Sequence, residues 1–405
     1  MIYVFYILAA VLIYFSYRSF RGGIAYLNFF KSEFAKPKSN FNPFVSIIVP
    51  CRGLDDGLEM NLSGLFRQDH TDYEVIFVVD DTNDPGVEVI REISSRAAKK
   101  TKLVIAQKAT KSSQKVENLR EAVLHVSNES KVFVFVDSDA RPNESWLRNL
   151  VAPLEDKNAG SSTGYRWYVS NNPSFFSEFR SVWNASIASA LGPNTKSNFC
   201  WGGSMAIRRD VFEKLDMSAK WDGTLSDDFT VTQAMKEAGL PIYFVPQALT
   251  ASIENCSFHG LFEFTTRQMK ITRVYAPKLW LMSFFGSGLF NLVLIWAFFI
   301  VLFSRANGLP VYAALTVIVL VSFFSIGKAW LRLMAAKLAL PEHDKYLKRQ
   351  FLPQVTLWTL APALFFYNSA AALISRKMTW RGIQYEMISP NEIKVIDSER
   401  TVQID

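Results

Sequence analysis

Two long runs toward the C-terminal end hold no charged residue: LWLMSFFGSGLFNLVLIWAFFIVLF (279–303) and LPVYAALTVIVLVSFFSIG (309–327). No other feature narrows the possible folds so far. About 20 apolar residues in a row make a helix that crosses a bilayer, where a backbone without water must bond to itself. The chain opens in the same manner, with MIYVFYILAAVLIYFSY uncharged up to Arg18. This stretch lacks the basic start and small-residue cut site of a cleaved signal, so 1–17 is expected to remain as an anchor. Arg18, Arg21 and Lys31 follow it, which puts the next segment on the cytoplasmic side.

A third apolar run, FLPQVTLWTLAPALFFYNSAAALI (351–374), contains Pro353 and Pro362. Four full spans would carry the tail outside, yet that tail begins with Arg376, Lys377 and Arg381, which favour the inside. The proline-bearing run is therefore expected to be re-entrant or interfacial. The basic section before it, with Lys328, Arg332, Lys337, Lys345, Lys348 and Arg349, is expected at the cytoplasmic interface.

The formal charge is +7. A basic chain suggests either nucleic acid or membrane, and no dense Arg/Lys run or nucleic-acid motif supports the first. Three cysteines and four histidines lie far apart, which gives neither a disulfide framework nor a His/Cys metal site.

Residues 44–250 have a different texture. FVSIIVP (44–50), YEVIFVV (73–79), KLVIA (102–106) and KVFVFV (131–136) are short β-branched runs. Continuous apolar strands suit a parallel sheet covered on both faces. PGVEVIREISSRAAKK (85–100) and SQKVENLREAVLHV (113–126) read as the intervening helices, so a doubly wound, Rossmann-like α/β domain is expected.

Ligands of such a sheet collect at the C-terminal ends of its strands. VVDDTNDP (78–85) follows the second strand, and Asp137-Ser138-Asp139 follows the fourth. In TLSDDFTVTQAMKEAGL (224–240), Asp227 and Asp228 precede a helical pattern. Each alone has a plain reading as a turn, a cap or a dipole-favoured helix start. Carboxylates gathered in one cleft repel unless a cation or proton relieves them. A hard divalent ion held by one or two carboxylates and substrate phosphates is the ordinary remedy.

With these residues in view, residues 44–280 resemble the family 2 glycosyltransferases of the GT-A fold, most closely the ceramide glucosyltransferase type. FVSIIVPCRG is similar to the family's opening strand and proline-containing turn, which implies donor contacts from Pro50 and Arg52. The resemblance implies that Asp81 lies on the uridine side, that Lys115 and Asn118 line the donor pocket, and that VDSDA is the metal motif. Asp137 and Asp139 would then hold Mg²⁺ or Mn²⁺, with Asp137 also on the donor. CWGGSMAIRRDVF (200–212) matches the acceptor stretch, implying roles for Trp201, Gly202 and Gly203. Trp201 reads equally as a sugar-stacking ring or a packed core aromatic. SDDFTVTQAM stands where the family carries an EDxxLxxxL-like motif, so Asp228 would be the general base, with Asp227 beside the acceptor.

One motif departs from the pattern. Where (Q/R)xxRW belongs, the chain has Arg267-Gln-Met-Lys270-Ile271. Lys270 keeps a positive charge but loses the guanidinium fork, and the indole is missing. Arg267 and Lys270 are the expected donor cations, unless Arg273 and Tyr275 take over in a shifted register.

The expected organisation is an anchor (1–17), a GT-A domain (40–278), a C-terminal membrane region (279–375) and a polar tail (376–405). The implied activity is an inverting hexosyltransferase, a multi-pass membrane protein with its catalytic domain in the cytoplasm. It would move one sugar from a UDP-sugar to a membrane lipid hydroxyl, with ceramide, a hopanoid polyol, diacylglycerol or a polyprenyl phosphate as possible acceptors. A processive polysaccharide synthase and a non-catalytic membrane scaffold are the competing classes.

Overall fold

The computed structural model describes residues 2–304 and 308–397. They fall into two compact units. One, built on strands, comprises Ser32–Asn171, Ala190–Asn255 and Arg376–Asp405; the other, helical and apolar, comprises Met1–Lys31, Asn172–Ser189 and Cys256–Ser375.

The strand unit is mixed α/β. Its main sheet uses β1 (Val45–Pro50), β2 (Tyr73–Val79), β3 (Thr101–Ile105), β4 (Val132–Phe135), β5 (Ser161–Thr163), β7 (Met205–Arg208) and β8 (Ile242–Phe244), while β6 (Arg166–Val169) and β9 (Thr250–Ile253) form a separate pair. The main order is β3-β2-β1-β4-β7-β5-β8. β1 runs parallel to β2 and β4, and β2 parallel to β3; β7 alone is antiparallel to both of its neighbours. All of β2 and β4 is buried, because each strand carries apolar side chains to both faces and helices cover both. One face packs Ile48, Ile76, Phe133 and Phe135 against Val116, Leu119 and Trp221.

The helices of this unit start where short polar side chains can cap them. Ser113 Oγ accepts from Val116 N at 3.3 Å at the start of Gln114–Val123, and Ser226 Oγ accepts from Phe229 N at 3.5 Å at the start of Asp227–Glu237. Residues 376–397, expected only as a polar tail, instead form an antiparallel sheet: β10 (Lys377–Trp380), β11 (Ile383–Ser389) and β12 (Glu392–Asp397). Ile383, Tyr385 and Met387 alternate inward along β11.

Among the described residues three helices are long and apolar enough to cross a membrane: Ile2–Phe34, Pro277–Phe303 and Leu309–Ala339. The first continues well past the expected anchor boundary at residue 17. Phe351–Thr359 and Ala361–Ile374 meet at a 57° bend, the geometry of a broken span or a re-entrant loop. Pro362 occupies the first turn after the break, where a missing N–H costs nothing. Phe5, Val293, Ala297, Ala314, Val317 and Val321 form a common core.

Two of the expected interfacial cations face inward here. Arg332 is 5% exposed, with Nη1 donating to Ser186 Oγ at 3.2 Å, and Lys328 Nζ donates to Ser19 Oγ at 2.8 Å. Their section continues the Leu309–Ala339 helix, so its inner face must pack.

Candidate active site

The loops after β1, β2 and β4 and the start of the Asp227–Glu237 helix carry most of the expected site. At the end of β2, Asp80 is buried between two cations, Arg52 Nη1 and Lys108 Nζ, the latter at 3.1 Å. Lys108 also reaches Asp81 at 3.2 Å. Asp81 accepts from Asn83 N, and this bond followed by Lys108 holds its carboxyl below the usual range. Pro50 ends β1, and Arg52 follows it into this cluster.

At the end of β4 the balance is different. Lys115 Nζ lies 2.7 Å from Asp137 Oδ1 and 3.3 Å from Asp227 Oδ1, so one ammonium ties the β4 segment to the acidic helix start. Burial alone would lower the Lys115 ammonium, but Asp137, Asp227 and Asp228 more than reverse it and hold the group charged. Burial works against the Asp137 carboxylate too, and Lys115 with Arg166 prevails, so its pKa is lowered.

Among the described residues Asp139 pairs with Arg166 Nη1, at 3.2 Å on Oδ2, and its Oδ1 is buried without a hydrogen-bond partner. Burial is the main influence on Asp139; Arg166 opposes it, Glu254, Asp137 and Asp55 reinforce it, and the carboxyl is pushed up to about 8. Asp227, 2% exposed, follows the same pattern: burial dominates, Lys115 opposes it, and Asp228 with Asp137 adds to it, giving about 7. Its Oδ2 is likewise without a partner.

Asp228 is more accessible and fully oriented. Its Oδ2 accepts from Gly202 N at 3.1 Å, and Oδ1 accepts from Ser226 Oγ at 2.5 Å and Phe229 N at 2.8 Å. Gly202 is required here: a Cβ would run into Asp227 Oδ2 and come within 2.9 Å of Lys115 Nζ. A Cβ on Gly203 would strike the Trp201 ring. Trp201 is 7% exposed, 5.4 Å from the Tyr165 ring and under the Arg166 guanidinium at 5.2 Å, so it is packed in this structure.

Asn118 is 2% exposed, and its Oδ1 accepts from Gln114 Nε2 at 2.9 Å; it braces the helix start that carries Lys115. The expected donor cations Arg267 and Lys270 belong to the helical unit. They lie on its Phe258–Tyr275 helix, where Arg267 faces Glu263 at 3.7 Å and burial lowers the Lys270 ammonium. Arg273, the alternative cation, donates Nη1 to Ala372 O at 2.6 Å and Leu373 O at 3.0 Å, closing a helix end.

Sequence reasoning passed over Asp55, Lys108, Arg166 and the active face of Ser138. Ser138 Oγ donates to Asp55 Oδ2 at 2.5 Å, so the residue between the two acids fixes the loop after β1. The spacing of these residues is long-range, and only the LDDG turn after β1 carried a local signal for Asp55.

Asp137 and Asp139 suit a hard divalent ion. The carboxyl groups of Asp55, Asp137, Asp139, Asp227 and Asp228 outnumber the cations paired with them, and Asp139 Oδ1 is a buried carboxyl oxygen with no hydrogen-bond partner. Among the described residues no third His, Cys, Asp or Glu joins them as a ready-made cage. Two carboxylates with phosphate oxygens completing the shell is the habit of Mg²⁺ in phosphate sites.

The chain is similar in structure to the mannosyltransferase PcManGT from Pyrobaculum calidifontis, solved with GDP-Man and Mn²⁺, at 17% identity and TM-score 0.44 over 91% of this chain and 98% of that one. It is also similar to GalNAc-T7, solved with UDP, GalNAc and Mn²⁺, at 14% identity and TM-score 0.41 over 54% of this chain and 45% of that one. Likenesses this distant carry no argument about substrate or ion. Family membership rests on a match that runs almost the whole length: residues 4–393 fit the model of glycosyl transferase family 21, and the chain belongs to that family.

Proposed function

We propose that this protein moves one sugar from a UDP-sugar to the hydroxyl of a membrane lipid, with inversion at the anomeric carbon, at the cytoplasmic face. The observation that carries the reading is Lys115, shared between Asp137 at 2.7 Å and Asp227 at 3.3 Å. One ammonium thus couples the acids suited to a leaving diphosphate with the acids suited to an attacking hydroxyl. Three apolar helices on the same chain support an acceptor that resides in a bilayer.

Asp228 accepts the hydroxyl proton as the lipid oxygen attacks the anomeric carbon. The bond from that carbon to the diphosphate oxygen breaks on the opposite side, and UDP departs with the electron pair. An ionised carboxylate offers about four acceptor positions. Gly202, Ser226 and Phe229 use three of them, which fixes the direction of the remaining one. Asp137 and Asp139 would hold Mg²⁺ or Mn²⁺, which when bound supplies positive charge at the departing diphosphate. Lys115 keeps Asp137 ionised and turned to that position. Asp81, Arg52 and Lys108 would receive the nucleoside end of the donor.

The test is UDP release by detergent-purified protein with Mn²⁺ and a set of UDP-sugars, with and without a membrane lipid extract. Lipid-dependent release that falls by roughly 10²–10⁴-fold in Asp228→Asn is the expected result. A labelled product carrying a single sugar excludes the polymerase alternative. No release with any donor overturns the reading.

A further inference from the structure

The C-terminal sheet brings a cation to this site. Trp380 pairs with Ile383, which leaves Arg381 and Gly382 as a two-residue turn between β10 and β11. Both have positive φ, 49° and 79°, as a type I′ turn demands. Asn, Asp or Gly takes the first position of such a turn with least strain; a long side chain is held there against its backbone preference. An arginine at this place is explained only by what its side chain does.

The guanidinium is directed at the mouth of the main sheet. Arg381 Nη1 donates to Asp55 Oδ1 at 2.5 Å and to Arg52 O at 3.4 Å, while Arg52 Nε donates to Arg381 O at 3.1 Å. The other oxygen of Asp55 is bonded by Ser138, the residue between Asp137 and Asp139. Arg381 therefore stands one side chain away from the Asp-Ser-Asp segment. Its side chain is 39% exposed whereas Asp55 is 10% exposed, and the guanidinium carries five N–H donors, more than these contacts use.

Two further contacts fix the sheet on the loops around the site. Gln114 N, beside Lys115, donates to the Tyr385 hydroxyl at 3.1 Å. Gly223, in the loop before Asp227 and Asp228, has φ +79°, and a Cβ there would come 2.5 Å from Asn391 O. The three-stranded sheet thus touches the loop after β1, the start of the Lys115 helix and the loop before Asp228.

We propose that Arg381 is a donor-binding residue, delivered by the C-terminal hairpin to the mouth of the main sheet to grip the diphosphate of the nucleotide-sugar. A planar fork that can bond two phosphate oxygens at once suits that task. The proposal rests on the UDP-sugar reading above and adds a contact from outside the main sheet.

The test compares wild type with Arg381→Asn in the full-length, detergent-purified protein. Asparagine is at home in this turn, so the hairpin keeps its backbone while the guanidinium is lost. UDP and UMP affinities are measured by calorimetry with Mn²⁺, alongside Tm. The expected result is UDP binding at least about tenfold weaker and a much smaller change for UMP, with at most a modest fall in Tm from the lost Asp55 pair. Equal UDP affinity in the two proteins overturns the proposal. So does a parallel loss of UDP affinity, UMP affinity and Tm, which marks Arg381 as a brace only. Absence of UDP binding in the wild type itself defeats the donor reading before the variant is considered.

Discussion

The ends of β2 and β4 look alike in sequence, an apolar strand running into closely spaced acids, yet they are opposite physical states. At β2, Asp80 is held by Arg52 and Lys108, and exposed Asp81 shares Lys108. At β4, Asp137 and Asp139 are half-buried, Asp139 keeps one buried oxygen without a hydrogen-bond partner, and its carboxyl is pushed up to about 8. The first cluster is electrically finished by the protein. The second is left short of positive charge in a place where desolvation makes that shortage costly. Closely spaced acids after a strand can therefore be fully paired or left short of partners, and the sequence pattern alone does not distinguish the two.

The sharpest way to break this contrast is to neutralise each end in turn. Asp139→Asn and Asp137→Asn are expected to lower sugar transfer by about 10³-fold or more, because charge stabilisation worth several kcal/mol is lost. Steady-state product formation checks this.

Lys115→Met removes the cation that buried Asp227 and half-buried Asp137 share. Stripping one partner from a buried ion pair costs about 3–5 kcal/mol. Denaturant unfolding of the variant should show a loss of that size. A change near zero would mean that Asp137 and Asp227 do not need it.

The third consequence concerns pH. Asp139 and Asp227 ordinarily titrate at 3.8 but are raised to about 8 and about 7 in the folded chain. Between these limits the folded protein binds more protons than the unfolded one. Stability of protein stripped of divalent ions with a chelator should therefore fall as pH rises from about 4 to about 8. In Asp139→Asn the upper part of that fall should disappear, as thermal unfolding at a series of pH values would reveal.

Smallest is Asp81→Asn. Its carboxylate is exposed and paired, so a few-fold rise in the donor KM with kcat nearly unchanged is expected. A loss as large as that of Asp139→Asn would erase the distinction between the two ends.

Much of the strand unit was legible because its signals are local. The β-branched runs at β1, β2 and β4 gave strands, and the patterns over 113–126 and after Asp228 gave helices. What escaped is long-range. Arg166 meets Asp139 only because β6, paired with β9, carries it there, and no local pattern announces that. Arg381 lies far beyond the apolar helices in sequence. Its hairpin was nevertheless readable, since Met378 and Trp380, then Ile383, Tyr385 and Met387, alternate around Arg-Gly. The excess of Lys and Arg near the tail drew the reading toward topology instead. Lys328 and Arg332 escaped for a related reason: charge suggests an interface, but long side chains on a packed helix can turn inward to serine hydroxyls.

The most direct test measures Mn²⁺ bound in the presence of UDP, by electron paramagnetic resonance, in wild type, Asp139→Asn and Asp81→Asn. The account predicts that wild type and Asp81→Asn bind the ion and that Asp139→Asn does not. Equal binding in Asp139→Asn and wild type, or loss confined to Asp81→Asn, would contradict it.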